Sequence, residues 1–265
     1  QALETAGPKY STILGGLTGF SALVFVIAEF SWFFGYLGGM PQLSIRFMAI
    51  KDEKNAKLAR NVGVGWTILA YIGALLIGWI GIAIFGPTGL TDQEAVMPSV
   101  MLTLFPPIIA AIFITGAVAA MLSTADSLLI LSATELSENL LKPFVYKDDF
   151  DPKRSLKLSR ISTVLLGVIA LIAAYVVPSN LIYTIVGYTW AGIGDTFSVI
   201  VILTLFWKRF HGKAVPPTII TGLLFTIFWI SSGFDAKVSA RLMTFIVTSI
   251  VAILATYIIK PEEGA

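Results

Sequence analysis

The sequence predicts an all-α integral membrane protein, and three observations carry that class. Hydrophobic residues make up 56% of the chain and charged residues only 13%. The mean hydropathy of +0.86 lies outside the usual balance of a soluble domain. Apolar segments near the roughly 20 residues that a spanning helix needs recur along the chain, and the basic residues between them alternate sharply in density.

Seven segments stand out within a single transmembrane domain, 1–265: residues 10–46, 64–85, 107–135, 161–177, 181–207, 215–231 and 242–259. The first is too long for one straight crossing, and Gly35, Gly38, Gly39 and Pro41 predict that it is broken. Broken backbone at membrane depth is tolerated only where it is buried in protein or lines a cavity. The fifth segment holds a second glycine cluster, Gly187, Gly192 and Gly194. The stretches 86–106 and 136–159 read as loops, the second a solvated connector of mixed charge, and the tail PEEGA reads as disordered.

For seven crossings, fifteen of the 18 Lys and Arg residues fall on one side, and only Lys9, Lys237 and Arg241 fall on the other. The positive-inside rule then puts the N-terminus outside and the C-terminus in the cytoplasm, in a multi-pass protein of the plasma (inner) membrane. The chain opens on Gln1 with no signal peptide ahead of it, which reads as a fragment or a processed chain.

Composition also excludes functions. With no cysteine there is no disulfide, and a net charge of +2 leaves no nucleic-acid footprint. The single histidine, His211, cannot build a metal site alone. No glycine-rich phosphate loop and no Ser/His/Asp set suggests an enzyme.

The polar residues inside the spans are the candidates for function. In GAVAAMLSTADS a helical step of about 100° puts Gly116, Ala120, Ser123, Thr124 and Ser127 on one face, with Asp126 on its flank. Hydroxyl oxygens suit a small hard cation. The same residues also suit a tight helix–helix seam in which Ser and Thr bond back to their own helix. Glu29, Asp126, Glu135 and Asp195 are the ionisable residues within the spans, each a proton site, a cation site or half of a structural pair. Aromatics flank both glycine clusters, Trp32 and Tyr36 at the first, Tyr188 and Trp190 at the second. A helix end beside an aromatic wall suits a small zwitterion, and the interface belt is the other reading.

Three stretches in one order then carry a family resemblance. AAMLSTADSLLILSATELSENL resembles the eighth core helix of the sodium:solute symporter family. WFFGYLGGMPQLSIRFMAIKD resembles the first helix of that family's second repeat, and VGYTWAGIGDTFSVIVILTLFWKR a later one. The sodium/proline branch is the nearest pattern. The resemblance implies a LeuT-type fold, with this chain as its second inverted repeat plus two extra C-terminal helices. It implies sodium ligands at Ser123 and Thr124 (side-chain oxygens) and Ala120 (backbone carbonyl). A possible second sodium falls at Asp126 and Ser127, and a solute pocket at Trp32, Tyr36, Trp190 and Gly192. The remaining sodium ligands would come from the missing N-terminal half of the same transporter. The expected function is sodium-coupled symport of proline or a related amino acid or carboxylate, in contact with membrane lipid. A proton-coupled carrier using the buried carboxylates and a seven-helix receptor are the alternatives.

Overall fold

The computed structural model describes residues 2–142, 152–176 and 182–260. These form two compact units, Gln1–Glu94 with Leu181–Ala265, and Ala95–Asn180. Among the described residues the regular structure is entirely helical.

In the first unit, short helices α1 (Ala2–Thr5) and α2 (Pro8–Ser11) precede α3 (Gly19–Phe30), α4 (Trp32–Gly35) and α5 (Pro41–Met48). The predicted break in the first apolar segment is present and deeper than expected. The chain turns at Ser31, then again at residues 36–40, where Gly38 takes a φ of 107° that favours glycine. Pro41 restarts the helix at its first position, where a missing N–H costs nothing. The helix α6 (Glu53–Phe85) begins eleven residues ahead of the predicted span because Asp52 caps it, accepting from Asn55 N at 2.8 Å.

The second unit holds α7 (Val96–Leu104), α8 (Pro107–Thr134) and α9 (Pro152–Val176), with α8 running on as a π-helical stretch over Glu135–Leu141. The stretch 86–106 is therefore more than a loop: α7 buries Val100 and Met101. The connector 136–159 is also largely helical at both ends. Glu138 accepts from Lys142 at 2.5 Å and from the Ser155 hydroxyl, tying the end of α8 to the start of α9. Residues 143–151 and the tail lie outside the described residues.

Back in the first unit come α10 (Ile182–Thr189), a π-helical stretch (Trp190–Asp195), α11 (Thr196–Phe206), α12 (Val215–Ser231) and α13 (Ala240–Ile258). The second glycine cluster does not break its helix. It widens one turn and leaves the helix continuous from Ile182 to Phe206.

Six helices among the described residues are long and apolar enough to cross a membrane, and Gly19–Gly35 is a shorter apolar stretch. This is a multi-pass, all-α membrane protein. Many apolar side chains stay exposed, among them Trp66, Leu69 and Tyr71 on α6, as surfaces facing lipid or further protein do.

The seam between α12 and α13 shows how such helices hold together without a hydrophobic driving force. Small residues recur every fourth position: Thr218, Gly222 and Thr226 on one helix, Thr244, Thr248, Ala252 and Thr256 on the other, all buried. That spacing lets the backbones approach closely. Thr226 and Thr244 share a hydroxyl–hydroxyl hydrogen bond of 2.8 Å, and Thr218 and Thr256 donate back to Ala214 O and Ala252 O. A Cβ on Gly222 would lie 2.3 Å from Thr196 Oγ1 and 2.9 Å from Thr248 Oγ1. Gly222→Val is therefore expected to cost about 1–3 kcal/mol, read as a lower thermal midpoint of the detergent-purified protein. An unchanged midpoint would mean that the seam is not packed this closely.

Candidate functional site

Two groups of residues answer to the sequence expectations, one in each unit. In the second unit, Ala120, Ser123, Thr124, Asp126 and Ser127 sit mid-way along α8. Thr124 Oγ1 donates to Ala120 O at 3.1 Å, and Ser127 Oγ donates to Ser123 O at 2.8 Å. This is the back-bonding that the segment alone allowed. It does not form a closed seam: Ala120, Ser123, Thr124 and Asp126 are exposed and Ser127 is half-buried, and a Cβ on Gly116 would meet nothing within 4 Å. A hydroxyl whose proton is committed to a backbone carbonyl still offers its lone pairs. The stripe is thus an open row of oxygen acceptors.

In the first unit the break in the chain and the π-helical turn lie against each other. Gly39 N donates to the buried Ser198 Oγ at 2.9 Å. A Cβ on Gly35 would stand 2.1 Å from Trp190 Nε1, and one on Gly39 only 1.7 Å from Gly194 O. Because α4 is a single turn, its first carbonyl is left for an outside donor. The buried Trp190 supplies it, donating from Nε1 to Trp32 O at 2.9 Å.

That bond gathers an aromatic cluster. Trp190 packs on Trp32 at 5.7 Å and on Tyr36 at 4.7 Å between ring centroids, all tilted. Three of the four expected pocket residues are therefore together. Gly192 points elsewhere, against Thr226 and Leu223 of α12. Tyr188 has no ring contact among the described residues.

Tyr183 takes the place that Tyr188 was expected to fill. Its ring lies 5.4 Å from Trp32, its hydroxyl accepts from Trp32 Nε1 at 3.1 Å, and it donates to Glu29 Oε2 at 3.0 Å. Sequence reasoning passed over Tyr183, though Tyr183, Gly187 and Trp190 share a helical face at i, i+4 and i+7. Arg241 was likewise counted only as a flanking charge. The structure puts it in the first turn of α13, with its guanidinium 4.2 Å from the Trp32 ring. It donates from Nε to Ser31 Oγ and from Nη2 to Ala28 O, each at 3.2 Å, satisfying a carbonyl at the end of α3. Gly187 makes room, since a Cβ there would be 3.0 Å from Nη1.

Asp195 closes the π-helical stretch. It is fully buried, and both carboxylate oxygens are without a hydrogen-bond partner among the described residues. Glu29 is exposed and Glu135 binds Asn139 Nδ2 at 2.5 Å.

Apolar helices, one broken beside an aromatic cluster and another carrying an open hydroxyl stripe, define a membrane protein with polar groups set within its apolar segments. The chain belongs to the sodium:solute symporter family, whose profile matches residues 6–222. It is similar to the high-affinity proline transporter PutP of Bacillus subtilis (strain 168), 36% identical over 78% of this chain and 44% of the relative. It is also similar to the osmoregulated proline transporter OpuE of the same organism, 31% identical over 99% of this chain and 53% of the relative. The sodium/proline symporter 2 of Staphylococcus saprophyticus is 32% identical over 84% of this chain and 42% of its own length. The chain thus spans about half the length of the curated relatives it matches. No solved structure matches it.

The contact of Gly35 with Trp190 has a direct consequence. Gly35→Ala is expected to push the indole off Trp32 O and cost about 1–3 kcal/mol, seen as a lower thermal midpoint in detergent. A variant as stable as the parent would show that the indole has another home.

Proposed function

We propose that this chain forms the second half of a sodium-coupled secondary symporter for a small organic solute, proline or a related amino acid, working by alternating access in the plasma membrane. Its N-terminus lies outside and its C-terminus in the cytoplasm. The observation that carries the reading is the family match, which spans both groups of residues, with relatives named as proline transporters. Sodium and solute are both cargo.

In this reading Ser123, Thr124 and the Ala120 carbonyl hold sodium, with further oxygens supplied by the N-terminal half. The exposure of the α8 stripe suits ligands shared with another part of the transporter. Asp126 and Ser127 serve a second sodium. Trp32, Tyr36 and Trp190 wall the solute, with Gly192 backing the turn that carries Trp190. Sodium binding favours one state of the transporter and raises solute affinity by a reciprocal coupling of typically ~1–3 kcal/mol. The membrane potential contributes ~2.3 kcal/mol per charge per 100 mV.

One observation favours a second reading. The unpartnered, buried carboxylate of Asp195 is a place for a proton, so proton-coupled transport is the alternative.

The test is uptake of labelled proline by the full-length parent in proteoliposomes, with an inward sodium gradient or with choline in place of sodium. Ser123→Ala and Thr124→Ala are each expected to raise the half-saturating sodium concentration about tenfold, near 1.4 kcal/mol, at unchanged protein level. Equal uptake in choline, abolished by Asp195→Asn, would move the coupling to protons.

A further inference from the structure

We propose that the cavity beside Arg241 is a docking site for the carboxylate of a zwitterionic solute, adjoining the aromatic cluster through Tyr183 and the Trp32 face. The proposal rests on the transport reading only in taking the transported solute as its ligand.

The cavity has a volume of about 380 Å³, at the small end of the roughly 300–1,000 Å³ of small-ligand pockets. Arg241, Lys237, Glu29, Tyr183, Asp235 and Ser239 are among its lining residues, whereas Trp32, Tyr36 and Trp190 do not line it. Among the described residues neither cation has a carboxylate within ion-pair distance. The acids are engaged with neutral donors instead: Glu29 accepts from the Tyr183 hydroxyl, and Asp235 Oδ1 accepts from Ala240 N at 2.6 Å. Ser239 is buried with no partner for its hydroxyl.

Arg241 is set up to receive an anion. The Trp32 face, Ser31 Oγ and Ala28 O fix its plane. These bonds use two of the five guanidinium N–H donors. A guanidinium held in plane with spare donors matches a carboxylate in bidentate fashion. With no carboxylate within ion-pair distance, the free donors of Arg241 are open to the carboxylate of a bound group. Glu29 and Asp235, which also line the cavity, repel a dianion such as phosphate and complement an ammonium group. The combined pattern selects an amino acid.

The experiment is equilibrium dialysis of labelled proline against the detergent-purified full-length parent, with competition by unlabelled proline or prolinamide, which lacks the carboxylate. The parent is expected to prefer proline by about tenfold to 100-fold. Arg241→Gln is expected to abolish most of that preference and Arg241→Lys to keep part of it. A monodisperse Arg241→Gln protein with the parental preference overturns the proposal, as does a parent with no preference. Should Arg241→Gln elute as aggregate, Lys237→Gln carries the test: a preference narrowed by about twofold to fivefold supports the site, and an unchanged one overturns it. Sodium-driven uptake alongside an unchanged preference sinks this proposal alone. A preference lost in Arg241→Gln without sodium-driven uptake sinks the transport reading alone.

Discussion

The first unit depends on the absence of side chains at Gly35 and Gly39. Only glycine lets residues 36–40 lie on the Trp190–Asp195 turn, with the Gly39 amide on Ser198 and the Trp190 indole on the Trp32 carbonyl. Both bonds satisfy groups that a broken helix would otherwise leave bare inside a membrane protein. Once Trp190 is fixed, Trp32 is fixed, and with it Tyr183, Glu29 and Arg241. A steric constraint at two positions thereby sets the place of three polar or charged side chains from three other elements.

The thread from Arg241 runs through backbone as well as side chains. Its guanidinium meets the end of α3 just where the chain turns at Ser31. The first helix of the broken segment is thus tied to α13, and the single-turn α4 is tied to the π-helical stretch. Each half of the break has its own anchor. Relative movement of α13 and the π-helical stretch would be felt at Ser31, the hinge between them.

Much of this was legible in the sequence because the membrane simplifies the reading. Helices must be long and apolar, so α8 and α12 fall close to their predicted bounds, α12 at the same residues. The break at Gly35–Pro41 was legible because proline and glycine act locally. What escaped depended on partners distant in sequence. Gly187, Gly192 and Gly194 look like breakers, yet they widen a continuous helix, because their job is to let Arg241, α12 and the break approach. Tyr188 stands nearer the glycines in sequence, but Tyr183 faces the cluster because helical geometry, not adjacency, decides. The start of α6 was missed because charged residues after a cap still make good helix, whereas hydropathy sees only its apolar part.

That early start gives α6 a property of its own. At about 1.5 Å per residue its 33 residues extend about 50 Å, against a hydrocarbon core of about 30 Å. Several turns must stand clear of the acyl chains. Those are the turns from Glu53 onward, which carry Lys54, Lys57 and Arg60 and the Glu53–Lys57 pair at 2.7 Å. Lys54 and Arg60, outside that pair, are each worth about 1 kcal/mol near an anionic leaflet surface. Headgroup charge thereby bears on the depth at which α6 sits. Lipid composition becomes a variable acting on this chain through α6.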